Sequence, residues 1–445
     1  NMFISTQELL QIFEKNPIIS TDTRQITGGC LFFALKGDNF DGNQFAAQAL
    51  AQGAAYAIVD DPKVATDARF LLVENVLKAL QDLGNAYRKT FEIPVIGITG
   101  SNGKTTTKEL VAAVMNSHYN THFTRGNFNN HIGVPLTLLA MPRATEVAII
   151  EMGANHQGEI DELCQIAAPT HGLITNVGKA HLEGFGGFEG VKKGKSEMYR
   201  YLASHRKTIF INEDEPFLSE LAPEHANRIF YKKSDSPNVD IPQYELQLLS
   251  IEPFLQVSFL GDLGEQVTIN SNLVGEYNFG NIATAVALGR YFKVPSEKIK
   301  QAIEAYVPSN NRSEIKHFHG AKIILDAYNA NPSSVRGAVL NFSKMDFGAS
   351  HQEKIIVLGD MRELGTESFE EHLRIFELCK TLKINKLVFV GSEFGKIVAH
   401  TGGGASVTHF ADTNAARAWF GALAYEGKAF LIKGSRGMKL ETLLN

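Results

Sequence analysis

Val95-Ile96-Gly97-Ile98-Thr99-Gly100-Ser101-Asn102-Gly103-Lys104-Thr105-Thr106-Thr107 is the stretch on which the reading of the chain turns. Its apolar start reads as a buried strand, and Lys104 to Tyr119 reads as a helix with Leu110, Val111, Val114 and Met115 on one face. Between them lies a glycine-rich turn closed by Gly103-Lys104-Thr105. Such a turn aims backbone N–H groups and a helix N-terminus at a polyphosphate. Lys104 would then reach the β- and γ-phosphates, and the Thr105 hydroxyl would sit on Mg²⁺. The strict eight-residue pattern needs a glycine at position 98, which is Ile98, so the chain carries the shorter Gly100-x-x-Gly103-Lys104-Thr105. A turn with a merely solvated lysine is the bland alternative. The strand before it and the helix after it favour a nucleotide site, with ATP as the expected ligand and Gly100 to Thr106 as its contacts.

Working outward, 445 residues suit about three domains of ~100–200 residues each. Apolar content of 44% and charged content of 20% are ordinary for a globular protein. A net charge of −5 argues against a general nucleic-acid binder. No apolar run approaches the ~18–20 residues that span a bilayer, and no signal-peptide pattern opens the chain. Cys30, Cys164 and Cys379 form neither a disulfide framework nor a CxxC pair, so reduced thiols in a cytoplasmic protein are expected. A monomer with no nucleic-acid or membrane partner is the accompanying expectation.

The chain divides into three α/β blocks. Residues 2–92 form a small module: a helix over Thr6 to Glu14, a strand at Cys30 to Leu35, a polar turn over Lys36 to Gly42, and a helix over Val76 to Thr90. Asp22, Thr23, Arg24 and Asp38 here suit turn and capping roles as well as binding. Residues 93–308 alternate strand and helix, which predicts a mostly parallel sheet covered on both faces. Residues 309–445 give a third block, an open Rossmann-like sheet with strands at Lys322 to Leu325, Lys354 to Leu358, Lys386 to Val390 and Ala429 to Ile432. Ligands of such sheets lie at the carboxyl ends of the strands.

That rule selects the candidate chemistry. Glu151 closes the apolar strand Val147 to Ile150, where a carboxylate can anchor Mg²⁺; the alternative is a helix-capping carboxylate. His181 follows the strand Gly172 to Asn176, and a lone histidine is as readily structural as a ligand. Lys192, Lys193 and Lys195 read as a solvated helix face. Asn278 and Asn281 precede an alanine-rich helix and either cap it or meet a ligand base. Tyr328-Asn329-Ala330-Asn331-Pro332 is a turn after Asp326 that needs no function.

Together these stretches resemble the Mur ligase family, ATP-dependent amide-forming ligases of peptidoglycan synthesis. The resemblance runs from Asp22 to Lys433. Its most specific parts are Gly97 to Thr107, Gly126 to Pro135, Tyr328 to Pro332, and Leu358-Gly359-Asp360-Met361-Arg362-Glu363-Leu364-Gly365. The last two point, within the family, to addition of D-alanyl-D-alanine to UDP-N-acetylmuramoyl-tripeptide. An Asp-Asn-Pro-Arg motif, expected in the ligase that adds the third residue, is absent. The resemblance implies two Mg²⁺ sites, one on Thr105 and Glu151 and one on His181 and a carbamylated Lys195. Lys104, Glu151, His181 and Lys195 would be the catalytic set. Asn278 and Asn281 would contact adenine, although Tyr277 stands where a histidine is common, and Arg312 and Asp326 would meet phosphates and ribose. Asp22, Thr23, Arg24, Asp38 and Phe40 would grip the UDP-sugar. Asn127, Asn130, His131, Asn329 and Asn331 complete the substrate set, with His131 where an acidic residue is expected. The Lys433-Gly434-Ser435-Arg436 stretch resembles the family's C-terminal motif. A folylpolyglutamate synthase-like ligase and a nucleotide-hydrolysing switch are the alternatives.

Overall fold

The structure, a computed structural model, describes residues 2–238, 240 and 244–445. Three large sheets follow one another along the chain. The first is a parallel sheet of Ile19–Ser20, Leu31–Phe33, Tyr56–Val59 and Phe70–Leu72, in that order. Helix Thr6–Lys15 packs beside it, its start fixed by a capping box: Glu8 N–H donates to Ser5 Oγ and Ser5 N–H to the Glu8 carboxylate. Helix Val76–Arg88, capped by Asn75, leaves this sheet and packs on helices Gly133–Leu139 and Glu159–Ala167 of the central block. Contact there is close: a Cβ on Gly84 would lie 3.0 Å from the Pro135 side chain. Tyr87 donates its hydroxyl to the Met141 carbonyl at 2.7 Å. The buried Arg88 guanidinium donates to the carbonyls of Ala167, Ala168 and Phe91 at 2.9 to 3.1 Å. The first two blocks therefore share one core, which continues into the helix-covered face of the third.

The central sheet has nine strands. Thr121–Phe123, Val147–Glu151, Val95–Thr99, His171–Ile174, Thr208–Asn212, Asn227–Lys233 and Tyr244–Ser250 lie side by side and parallel. Gln256–Leu260 and Gln266–Asn270 then add an antiparallel edge that the alternation of strands and helices had not indicated. The reason is the connection. Gly261 to Glu265 closes a tight turn, with Gly261 N–H on the Glu265 carbonyl, too short for the crossover that a parallel strand needs.

From Val95–Thr99 the chain runs to an edge strand, returns on one side of it as Val147–Glu151, and continues on the other as His171–Ile174. This reversal opens a crevice at the carboxyl ends of three neighbouring strands. The third sheet has the order Glu314–Phe318, Ala321–Asp326, Lys428–Lys433, Glu353–Gly359, Lys386–Val390, Val407–Phe410, with only the first strand antiparallel. Its register sets Asp326 beside Lys433.

Arg88→Ala would leave two buried carbonyls and one partly buried carbonyl without this donor and should cost about 3 kcal/mol. Denaturant unfolding should show this as a lower midpoint. Arg417→Ala, at an exposed position, should move it by less than about 0.5 kcal/mol.

Candidate active site

The phosphate loop is shaped by two glycines. Gly100 has φ +147°, and a Cβ there would fall 1.9 Å from Thr175 Oγ1. Gly103 has φ +79° and precedes helix Lys104–Asn116 with no side chain capping it, which leaves the helix N-terminus open to an anion. The loop is tied to the neighbouring strand's end. Asn102 N–H donates to Asn176 Oδ1 at 2.9 Å, Thr175 Oγ1 donates to the Asn102 carbonyl at 2.6 Å, and Gly178 N–H donates to Ser101 Oγ at 2.9 Å. Lys104 Nζ folds back onto the Gly100 carbonyl at 2.8 Å. Burial holds its pKa below the ordinary lysine value, with Glu151 pulling it up and Arg312 pushing it down.

Glu151 lies at the bottom of the crevice, 1% exposed. Thr105 donates to its carboxylate at 3.1 and 3.3 Å, and Asn129 Nδ2 donates at 3.1 Å. Lys108, also 1% exposed, stands 3.6 Å from the same carboxylate. This lysine was not singled out by sequence, although it follows Lys104 by four residues and so shares its helix face. A hydroxyl beside a carboxylate is an oxygen donor set suited to Mg²⁺, which prefers such ligands with phosphates and waters completing its shell. Among the described residues no cluster of three His, Cys, Asp or Glu side chains forms a complete cage.

The other metal candidates come from the segment after Asn176. His181 adopts φ +52° and pairs through Nδ1 with the Glu363 carboxylate of the third block. Glu183 N–H donates to the Glu363 carbonyl at 3.1 Å. The three lysines of helix Phe188–Lys195 have different surroundings. Lys193 is exposed, and Lys192 sits 4.0 Å from the Phe217 ring centroid. Lys195 is fully buried, its Nζ 3.4 Å from the Ala154 carbonyl and 5.2 Å from the Phe185 ring centroid. Burial, helped by the charge of Lys104, drives its pKa well below the ordinary value, so its amine is the one held toward neutrality.

The third block closes the crevice from the other side. Asn331 and Asn102 exchange amide contacts, with Asn331 Nδ2 donating at 2.6 Å. Asn331 also accepts from Ser334 N–H and thereby caps helix Pro332–Lys344, so the Asn-Pro turn serves the helix and the loop together. Lys179 pairs with Glu371 at 2.7 Å. Asp326 accepts from Ser313 and pairs with buried Lys433 at 3.0 Å. Tyr277 shares a 2.6 Å contact with the same serine. Asn281 accepts from Thr107 and donates to Asn278, whose own amide donates to the Val274 carbonyl. These two asparagines thus brace the loop from behind, and Gly103 is close enough that a Cβ would meet Asn281 Oδ1 at 2.8 Å. Beside Thr105 a cleft of about 360 Å³ is lined by Glu109, Asn127, Arg312, Tyr328 and Arg436 among others.

The remaining candidates lie elsewhere. Asp22 caps the turn Thr23–Gln25 and pairs with exposed Arg24 at 2.7 Å. Asp38 and Phe40 belong to an exposed hairpin of Lys36–Gly37 and Phe40–Asp41. Asn130 accepts from the N–H groups of Ile132 and Gly133 at the start of helix Gly133–Leu139. His131 and Asn329 are exposed. Among the described residues no hydrogen bond joins the N-terminal candidates to the phosphate loop.

The three sheets and this crevice coincide with matches to known domains. Residues 17–88 match the Mur ligase family catalytic domain, residues 98–289 the Mur ligase middle domain, and residues 311–436 the Mur ligase glutamate ligase domain. The chain belongs to the Mur ligase family. UDP-N-acetylmuramoyl-tripeptide–D-alanyl-D-alanine ligase of Bacillus subtilis (strain 168) is 35% identical over 96% of this chain and 92% of its own length. A crystal structure of MurF from Acinetobacter baumannii superposes with a TM-score of 0.85 at 30% identity, covering 99% of this chain and 97% of that one. MurF ligase from Thermotoga maritima, solved in complex with ADP, gives 0.82 at 26% identity over 96% of each chain.

Gly100→Ala should weaken ADP binding at least about tenfold by calorimetry, because strain of ~1–3 kcal/mol falls on the loop that must receive the phosphates.

Proposed function

We propose that the chain joins D-alanyl-D-alanine to UDP-N-acetylmuramoyl-tripeptide in peptidoglycan precursor synthesis, driven by ATP. The observation that supports this reading most is the phosphate loop with the Thr105–Glu151 pair beneath it, the buried Lys195 amine within reach of the Lys104 charge, and Asn331 of the third block bonded to Asn102 of the loop. The relatives' names supply the substrates. Residues 2–92 would bind the UDP-sugar, residues 93–308 ATP, and residues 309–445 would close on ATP and receive the dipeptide. A nucleotide-linked substrate and ATP place the reaction in the cytoplasm.

The tripeptide's terminal carboxylate attacks the γ-phosphorus, giving an acyl phosphate and ADP. The dipeptide's free amine then attacks the acyl carbon, and the tetrahedral intermediate expels phosphate to leave an amide. Two anions must meet in the first step, so cationic and N–H groups aimed at the triphosphate are the main resource. Lys104 and the open helix N-terminus supply them, with Arg312 approaching from the third block. Thr105 and Glu151 would hold one Mg²⁺, and His181 with a carbamylated Lys195 a second. Bound Mg²⁺ would offset the repulsion between carboxylate and triphosphate. Carbamylation needs a neutral amine, which the surroundings of Lys195 favour. Closure of the third block over the crevice would keep water from the acyl phosphate.

Phosphate release from ATP should require the UDP-tripeptide and D-alanyl-D-alanine together, with a product heavier by the dipeptide. Release indifferent to both would overturn the reading and favour a nucleotide-hydrolysing switch. Incubation with ¹³C-bicarbonate should add a carbamate carbon signal in NMR that Lys195→Ala lacks and Lys192→Ala retains.

A further inference from the structure

We infer that Lys108 makes the metal at Glu151 conditional on nucleotide: its ammonium group competes with a divalent cation for that carboxylate until phosphates add negative charge. The inference rests on the reading above, in which Thr105 and Glu151 hold Mg²⁺. Lysine is a residue of protein surfaces, yet the Lys108 side chain is 1% exposed. A charge held so deeply beside a reaction centre acts on whatever else binds there.

Helix geometry brings it there. Thr105 and Lys108 are three residues apart on helix Lys104–Asn116, so both face the strand that ends in Glu151. Thr105 donates to both carboxylate oxygens, Asn129 donates to Oε1, and Lys108 stands 3.6 Å from Oε2. The Lys108 ammonium also donates to the Gly126 carbonyl at 3.3 Å. Among the described residues Glu151 is the one carboxylate within ion-pair distance of it. The buried side chain has no water to withdraw into when a metal approaches.

The charge balance follows. A carboxylate anchors Mg²⁺ through its negative charge, and Mg²⁺ gives up its waters reluctantly. Paired with Lys108, Glu151 presents a neutral unit, and Lys104 lies one turn earlier on the helix in the same field. A divalent cation arriving alone therefore meets a hydroxyl, a neutralised carboxylate and two lysines. Phosphates received at the open start of the helix change the sign of this field, and the metal is then held by phosphate oxygens together with Thr105 and Glu151. Lys108 thus acts through Glu151 as a positioning residue that keeps the site from loading with metal before nucleotide. A lysine that only tied the helix to the Gly126 turn would add stability and leave metal affinity alone, and there the two roles part.

The test counts free Mn²⁺, a paramagnetic stand-in for Mg²⁺, by electron paramagnetic resonance on the full chain with and without ADP. After allowance for Mn²⁺ held by free ADP, wild type should bind the ion at least about tenfold tighter with ADP than alone. Lys108→Gln keeps N–H donors for Gly126 and Glu151 but carries no charge. It should bind Mn²⁺ alone at least about tenfold tighter than wild type. Lys108→Arg, which keeps the charge, should retain the nucleotide dependence, and adding Glu151→Gln to Lys108→Gln should erase the gain. Mn²⁺ alone should also raise the melting temperature of Lys108→Gln while leaving that of wild type in place. A Lys108→Gln protein that is unstable without responding to Mn²⁺, that keeps wild-type affinity for Mn²⁺ alone, or whose gain survives Glu151→Gln would overturn this role while the ligase reading stands. ADP-dependent Mn²⁺ binding unchanged in Glu151→Gln alone would overturn the metal role of Glu151 in that reading and this inference with it.

Discussion

The carboxylate of Glu151 is the charge around which this site is built. A carboxylate taken out of water needs partners, and its partners come from separate pieces of backbone. Thr105 and Lys108 reach it from the helix that begins at the phosphate loop, and Asn129 from the loop after the edge strand. Thr124 holds its backbone N–H at 2.9 Å. Satisfying this one group therefore fixes the phosphate helix, the edge strand and the central strand relative to one another. Lys108 balances it at 3.6 Å, which leaves Lys104 to the nucleotide.

The two junctions between blocks are chemically unlike each other. Between the first and second blocks, Gly84 meets Pro135 in apolar contact and Arg88 is buried among carbonyls, so the pair behaves as one packed body. Between the second and third, apolar packing is joined by polar pairs that are partly exposed: Asn102 with Asn331, Lys179 with Glu371, His181 with Glu363. Polar contacts of this kind can be exchanged for water at little cost, and hinged domains rely on that.

What could be read from sequence followed from local rules. Gly100, Gly103 and Lys104 announce the phosphate loop because a tight turn between strand and helix restricts residue choice. Glu151 was legible because a carboxylate closing an apolar run stands at a strand end. Which of Lys192, Lys193 and Lys195 is buried was not legible, since that depends on the Phe185 and Ala154 surfaces packed against the helix. The same holds for Glu363, brought to His181 by a domain contact 182 residues away in sequence. The antiparallel edge did leave a signal: Gln266–Asn270 alternates buried and exposed positions, the mark of a strand with one solvated face. Asn331 shows a limit of another kind, since a helix cap and a contact to the phosphate loop use the same residue.

The roof's attachment by charged and amide pairs also makes the enzyme sensitive to its medium. The Lys179 side chain is 34% exposed and that of Glu363 52%, so dissolved ions compete for these partners directly. Each such pair contributes ~0–1 kcal/mol and loses strength as the screening length shortens toward ~8 Å at physiological ionic strength. The packed junction on the other side feels no such loss. Ionic strength thus acts on the polar pairs of this junction while leaving the packed junction between the first two blocks untouched.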